Sequence, residues 1–382
     1  MINIFQPSLG AEELKKVKEV FDSNWLGRGD VVHEFEEKFA KNLSINKCNL
    51  YATTSCTEGI FLAADLFNFQ PGDEVIAPTI SFIAVGSAIV NSGATLVLCD
   101  VDRRSLNATA ETIAEKITDK TKAIVLNHYG GHPCDMDGIL KLAKRHNLHV
   151  IEDSACAVHS FYKGRACGTM GDMGLWSFDA MKSLVTGDGG MIYLKSNVLM
   201  DQAKEQCYLG LPARSTSGID KFSKGDDIWW EVQINRTGRR AIMNNITAAI
   251  GLAQVDKLHD FIQKREDIYN KYNQAFSQIS QIRTPPGLVD SDCKNSYYFY
   301  WIQVRDRNQL AHYLKDNGVY TSFRYWPLSR VDYFSCSNPL EFPNTEYAAD
   351  HTLNLPMHQN LSDSDVEKII SLVIDFISER KT

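Results

Sequence analysis

The sequence predicts an α/β fold: a mostly parallel β-sheet between layers of helices, followed by a smaller C-terminal α+β domain. Over the first two-thirds of the 382 residues, short apolar runs alternate with longer helical patterns. Such runs are typical of strands buried on both faces of a parallel sheet, whose crossovers are helices. Beyond residue 250 the alternation stops and a long helical stretch continues. We therefore predict a large domain over 1–250, including the N-terminal helical segment, and a smaller domain over 251–382.

The large domain opens with two predicted helices, at 10–23 with Ser8 as its N-cap, and at 31–43. Strands are then predicted at 48–51, 73–77, 95–99, 122–126, 149–151, 174–178 and 191–194. Helices are predicted between them at 57–67, 81–91, 110–117 and 136–146. This order of elements builds a sheet of parallel strands joined by helices.

The C-terminal third mixes both kinds of element. A helical stretch over 245–279 is predicted to be bent or broken and to bridge two lobes. Strands are predicted at 298–304 and 320–324, and helices at 308–317 and 364–378, the last opened by the capping box Ser362-x-x-Asp365. Loops are predicted at 210–224 and 285–295; the first is long and polar and is a candidate active-site flap.

Charge and composition argue against several classes of protein. The formal net charge is −7, whereas a nucleic-acid or membrane-surface binder carries a basic excess. The sequence lacks both a long apolar run and the pattern of a signal peptide, so we expect a cytoplasmic protein without a membrane span. The nine cysteines are scattered and form no CxxC pair, which favours reduced thiols over a disulfide framework. Because no His or Cys set has metal-ligand spacing, no metal is expected.

Two polar segments follow predicted strands, at the sheet edge where ligands bind in open α/β folds. The segment 53–59 leads from a strand into a helix, and its N–H groups are suited to bind a phosphate. Alternatively, Ser55-x-x-Glu58 is only a capping box. The pair Glu152-Asp153 follows an apolar strand. It is interpreted either as metal ligands, as a solvated strand end, or as the partner of a buried cation.

A lone lysine, Lys182, follows the next predicted strand and precedes the glycine-rich turn at 187–190. Desolvation there would lower its pKa and provide the neutral amine that Schiff-base chemistry needs, unless it is an ordinary surface lysine. A phosphate-binding turn, an acid for a pyridinium nitrogen and a Schiff-base lysine are together the requirements of pyridoxal 5'-phosphate (PLP). We therefore predict PLP as the cofactor.

On these motifs the chain resembles the DegT/DnrJ/EryC1/StrS family of sugar aminotransferases. The core of the resemblance is Ser177-Phe178-x3-Lys182-x4-Gly187-Asp188-Gly189-Gly190, with Glu152-Asp153 upstream. Further matching segments lie at 24–29, 71–78, 130–137, 248–254 and 355–358. The resemblance covers nearly the whole chain and implies PLP fold type I.

The resemblance also implies roles for single residues. Lys182 would form the Schiff base with the cofactor, and Asp153 would keep the pyridine nitrogen protonated. The remaining cofactor-binding positions are Cys56, Thr57, Phe82, Cys156, Ser177 and Arg240. Three of these depart from the family pattern. Cys56 stands where glycine is usual, Cys156 where a Gln, His or Glu contacts the ring hydroxyl, and Arg240 where an asparagine commonly reaches the partner subunit's phosphate.

The activity implied is transamination from an amino acid, with glutamate as the expected donor, to a keto sugar linked to a nucleotide. The product would be an amino sugar for a surface polysaccharide or natural product, made by a homodimer with shared active sites. Two alternatives stay open: a dehydratase of the same family, which has histidine in place of Lys182, and a non-catalytic regulatory protein. Five arginines are candidates to bind the diphosphate or the donor's carboxylate: Arg214, Arg236, Arg239, Arg324 and Arg330.

Overall fold

The structure, a computed structural model, describes residues 1–211, 234, 236–334 and 341–379. Arg214 and most of the predicted flap lie outside the described residues. The helices are α1 (Ala11–Asp22), α2 (Asp30–Leu43), α3 (Cys56–Leu66), α4 (Ile83–Asn91), α5 (Ala110–Ala114), α6 (Met136–His146), α7 (Asn197–Gln206), α8 (Asn245–Phe276), α9 (Arg307–Asp316), α10 (Pro343–His351) and α11 (Asp363–Ser378). The strands are β1 (Leu50–Thr53), β2 (Glu74–Pro78), β3 (Thr95–Cys99), β4 (Thr121–Asn127), β5 (His149–Asp153), β6 (Phe161–Tyr162), β7 (Arg165–Ala166), β8 (Met173–Ser177), β9 (Gly190–Leu194), β10 (Tyr300–Gln303) and β11 (Thr352–Leu355).

The central sheet has seven strands among the described residues, in the order β1-β9-β8-β5-β4-β2-β3. Strands β3, β2, β4, β5 and β8 pair in parallel, and β9 runs antiparallel to both β8 and β1. The predicted mostly parallel sheet is thus confirmed. Because parallel strands end at one edge, the segments that follow β5 and β8 meet there.

Helices cover both faces of this sheet. Leu175 of β8 and Ile192 of β9 pack in the core that contains α3, whereas their neighbours Trp176 and Met191 pack in the core that contains α2. Successive side chains of a strand point to opposite faces, and here both faces are apolar. This is why the sequence shows continuous apolar runs. Beside this sheet, β10 and β11 pair antiparallel and share a third core with α9 and α11.

Several elements differ from the prediction. The predicted helix at 10–23 is observed as α1, but its N-cap is Gly10 rather than Ser8, because the Glu13 carboxylate accepts the Gly10 N–H (2.8 Å). Helix α8 is one continuous element, so the predicted break is wrong. The segment 320–324 forms no strand, and its single bridge joins Ser322 to Asn354. The capping box of α11 is confirmed. The predicted domain boundary falls within α8 and stays a prediction.

Among the helices in the described ranges, none is long and apolar enough to cross a bilayer.

Candidate active site

Three strand ends lie side by side at the edge of the sheet. Gly190, the first residue of β9, is paired with Thr53 at the end of β1 and with Ser177 at the end of β8. A Cβ atom on Gly190 would lie 2.4 Å from the Ser55 carbonyl carbon and 2.5 Å from the Cys56 nitrogen. Only glycine therefore allows β9 to run against the start of α3.

The first turn of α3 exposes backbone donors at this edge. The Ser55 hydroxyl accepts the Glu58 N–H at 3.0 Å, so Ser55 is an N-cap as the capping-box interpretation predicts. The Glu58 carboxylate, however, accepts from Arg239 (2.5 Å) rather than from the Ser55 N–H. The N-cap is therefore confirmed, whereas the phosphate-binding interpretation of 53–59 stays a prediction. A capped helix end directs N–H groups and the positive end of its dipole at the site, beside the side chain of Thr57.

The two acids after β5 have different surroundings. Glu152 is fully buried and accepts hydrogen bonds from three backbone N–H groups and from the ring of His128 (3.1 Å). Within the described ranges, the Asp153 carboxylate accepts one hydrogen bond, from the Ala155 N–H (3.0 Å). Burial raises the pKa of Asp153, while the Ala155 N–H, Lys182 and His128 lower it by smaller amounts. Asp153 is therefore the acid that is free to meet a ligand, and neither acid is solvated.

Lys182 lies in a closed loop between β8 and β9. Its backbone N–H donates to the Asp179 carbonyl at 2.9 Å, and its amine lies 3.9 Å from the Cys156 sulfur. Burial lowers the pKa of the amine, but Cys156, two tyrosines and Asp153 raise it, and the net pKa is well above its ordinary value. The expectation of a lowered pKa, based on desolvation alone, is therefore wrong.

Two tyrosines next to Lys182 were missed by the sequence analysis. The ring centroid of Tyr298 lies 5.0 Å from the Lys182 amine, and the hydroxyl of Tyr325 lies 3.4 Å from the Cys156 sulfur. Tyr298 belongs to an aromatic run that reads as a buried strand, and Tyr325 follows a segment predicted as a strand. The sequence signal for a site at either position is weak, because aromatic residues in predicted strands usually belong to the core.

The other predicted site residues have the following places. Cys56 is buried at the first residue of α3, and burial raises the pKa of its thiol well above the ordinary value. The Ser177 hydroxyl accepts the Asp179 N–H at 3.4 Å. Phe82 is 42% exposed, and its ring centroid lies 5.6 Å from that of Tyr325, which places it at the border of the same cluster.

Arg240 lies outside this cluster. It is exposed, and its guanidinium lies over the Tyr208 ring at 5.6 Å. Of the arginines that sequence analysis selected as anion-binding candidates, three form ion pairs on the protein. The acidic partners are Glu205 for Arg236, Glu58 and Asp65 for Arg239, and Glu346 and Asp350 for Arg330.

Comparison with known proteins identifies this arrangement of strand-end residues. The sequence profile of the DegT/DnrJ/EryC1/StrS aminotransferase family matches residues 7–374. The chain belongs to this family. A relative in Saccharopolyspora spinosa, dTDP-4-dehydro-2,3,6-trideoxy-D-glucose 4-aminotransferase, is 43% identical over 371 residues, which cover 97% of this chain and 95% of the relative.

Solved structures agree with the family assignment. The aminotransferase TlmJ of Streptoalloteichus hindustanus superimposes with a TM-score of 0.94 and 43% identity, with all of both chains covered. A Streptococcus pneumoniae protein named as a sugar aminotransferase, solved in its PMP form, gives a TM-score of 0.90 at 25% identity, with all of both chains covered. A PLP form of it is also known. The protein is thus a PLP-dependent aminotransferase of fold type I, as predicted.

Proposed function

We propose that this aminotransferase moves the amino group of glutamate to a keto sugar carried on a nucleotide. The product is an amino sugar for a surface polysaccharide or natural product. The observation that carries the proposal is the pair Lys182 and Asp153, in a chain 43% identical to a dTDP-sugar 4-aminotransferase. The proposed location is the cytoplasm, where the described cysteines, all of them free, would stay reduced.

The residues of the site fit PLP. The charges of the Lys182 amine and the Asp153 carboxylate interact, yet no ion pair joins them within the described residues. Asp153 is buried and Lys182 is half-buried, and such charges are costly unless each is compensated, so the arrangement suits a group that contacts both. In this proposal Asp153 holds the protonated ring nitrogen. Thr57, Ser177 and the N–H groups at Cys56 hold the phosphate.

The cofactor, when bound, supplies an electron sink for the negative charge that develops when a proton leaves the substrate carbon. Lys182 acts as the base that takes this proton from the α-carbon of the donor, and in the second half-reaction it returns a proton to the amino-bearing carbon of the sugar. Phe82 and Cys156 would border the cofactor ring. The buried carboxylate of Asp153 would hold the ring nitrogen with little competing water.

Absorbance of the cofactor tests the proposal. The purified holoenzyme should be yellow, lose its visible band with glutamate, and recover it when a dTDP-linked 4-keto sugar is added. Lys182→Ala should show neither change, and serves as the control. A dehydratase would release water from the sugar without transferring nitrogen, and a regulatory protein would not respond to glutamate. Either result would refute the proposed function.

We also propose a homodimer in which each active site is completed by the partner. Arg240 is exposed, and its guanidinium lies over the Tyr208 ring, so in this proposal it is available to the phosphate of a second copy. Large apolar side chains are exposed in segments next to the site, including Phe82, Ile83 and Met181 at 42%, 48% and 41%. Exposed apolar side chains of this size favour a protein interface.

Mixing two inactive variants tests the shared site. A heterodimer of Lys182→Ala and Arg240→Glu has one site with both lesions and one with neither, because a two-fold pair exchanges the same residues in both directions. Such heterodimers should recover up to about half of wild-type activity. If heterodimers form without recovery, Arg240 serves its own chain. An active Arg240→Glu parent would show that it serves no site.

A further inference from the structure

Among the candidate arginines that the structure describes, Arg324 is the one with no acidic partner in the described part of the chain. Ion pairs hold Arg236, Arg239 and Arg330 in place, whereas none reaches the Arg324 guanidinium from any residue that the structure describes. The chain has 47 acidic and 40 basic residues, so acids are not scarce. The positive charge of Arg324 is therefore not neutralised by any acid of the described residues, and it can meet the anionic group of a ligand.

The guanidinium of Arg324 lies beside the Lys182 loop. One of its nitrogens, Nη2, is 4.0 Å from the sulfur of Met181, the residue before Lys182. Its planar head lies 5.3 Å from the ring centroid of Phe5, which stacks on Tyr298 with centroids 5.4 Å apart. Tyr298 in turn contacts the Lys182 amine. The charge of Arg324 thus lies on the active-site side of its segment and is held against aromatic rings.

The backbone of Arg324 is fixed on both sides by buried polar groups. Its N–H donates to the Asn354 side-chain oxygen at 2.7 Å, and its carbonyl accepts the hydroxyl of Tyr129. The Asn354 amide donates to the same Tyr129 hydroxyl at 3.2 Å. Both side chains are nearly inaccessible to solvent, and buried polar groups are costly unless they are hydrogen-bonded. Their bonds fix the position of Arg324 before any ligand arrives, which reduces the entropy lost on binding.

We propose that Arg324 binds the anionic group of a substrate, an inference that rests on the proposed function. Arginine presents a rigid fork of donors that matches the oxygens of a carboxylate or a phosphate. Two substrates bring such a group to this pocket: the amino donor with its carboxylates, and the nucleotide sugar with its diphosphate. The chemistry recognised is the same in both cases, and the two half-reactions of the enzyme separate the sources.

Half-reaction kinetics on the holoenzyme distinguish these sources. Arg324→Met should raise the half-saturating concentration of one substrate about 10- to 100-fold, as expected for losing one charge-assisted contact. Arg324→Lys, which keeps the charge without the fork, should have an intermediate effect. An effect on bleaching by glutamate assigns the carboxylate, and an effect on recovery with the keto sugar assigns the diphosphate. Calorimetric titration with glutarate and with dTDP should show the same assignment.

Arg330→Met is the matched control. It removes the same charge six residues away, where Glu346 and Asp350 already neutralise it, and should leave both half-saturating concentrations unchanged. Wild-type affinities for both substrates in Arg324→Met would overturn the inference, and so would an equal loss for both with a loss of cofactor absorbance. A wild-type enzyme that binds the cofactor but transfers no amino group would instead refute the proposed function.

Discussion

Replacing Glu152 by glutamine tests how a buried carboxylate holds the end of β5. One of its oxygens accepts the N–H groups of Met170 (2.7 Å) and Gly171 (2.6 Å). The other accepts the Gly168 N–H (2.8 Å) and lies 3.1 Å from His128 Nε2. The second ring nitrogen of His128 accepts a backbone N–H, so Nε2 carries the proton and donates. The Glu152 side chain therefore accepts four hydrogen bonds, and these bonds fix the backbone next to Asp153.

The size of the effect follows from this geometry. A glutamine amide has one oxygen and one NH2 group, and in either orientation the NH2 group faces two donors. Two hydrogen bonds to a charged acceptor are lost, each contributing about 1.5–3 kcal/mol, so Glu152→Gln should lower the free energy of unfolding by about 3–6 kcal/mol. With an unfolding entropy of about 2 cal/mol/K per residue, the melting temperature should fall by roughly 4–8 °C.

Thermal unfolding followed by circular dichroism measures this change. Glu115→Gln makes the same chemical replacement at an exposed position and should change stability by less than about 0.5 kcal/mol. If Glu152→Gln has a melting temperature within about 1 °C of wild type, as the control Glu115→Gln should, the reasoning is refuted. Such a result would mean that the donors around Glu152 find other partners.

Three further predictions use the same protein. Borohydride reduction followed by peptide mapping should fix the cofactor to Lys182, and a label on Lys163 or Lys195 would contradict its role; Lys182→Ala should still fold and bind pyridoxamine phosphate. Because burial raises the pKa of Asp153, its charge opposes folding, so Asp153→Asn should melt no lower than wild type while stopped-flow bleaching by glutamate slows strongly; an unchanged rate would contradict the assignment. Burial lowers the pKa of His132 to about 4, so the unfolded chain binds its proton more tightly and stability falls as the pH drops from about 6.5 towards 4. Through His132, lowering the pH from 6.5 to 5 should decrease the free energy of unfolding by about 2 kcal/mol. His132→Gln should therefore flatten the dependence of melting temperature on pH. An equal slope in wild type and variant would exclude His132 as the cause.

The large domain was the part most open to sequence-based prediction. The predicted strand at 174–178 and the observed β8 differ by one residue, because a strand buried on both faces leaves a continuous apolar run. The segment 320–324 has a similar composition but forms no strand. Its backbone is held by separate contacts with distant residues: one bridge between Ser322 and Asn354 of β11, and side-chain bonds from Tyr129 and Asn354 to Arg324. Pairings between residues so distant in the chain leave no local pattern.

The site was predictable to the extent that it follows strand ends. Asp153, Ser177 and Lys182 stand in motifs with fixed spacing, and the structure brings all three to one edge of the sheet. The neighbours that determine their ionisation come from distant segments. Tyr298 and Tyr325 raise the pKa of Lys182 against the effect of burial, and no spacing rule connects them to it. Their role required the three-dimensional arrangement.

The pairing of Gly190 with both Thr53 and Ser177 implies an uneven tolerance to insertions and deletions. The distance between the turn that precedes α3 and the end of β8 is set by the hydrogen-bonded strands β1, β9 and β8, so it does not depend on the length of any loop. One residue added within β9 would shift this register and turn every following side chain to the opposite face. The same addition in a surface loop such as 285–295 would leave the spacing intact. Active variants of this protein should therefore tolerate insertions and deletions in the loops and not within β9.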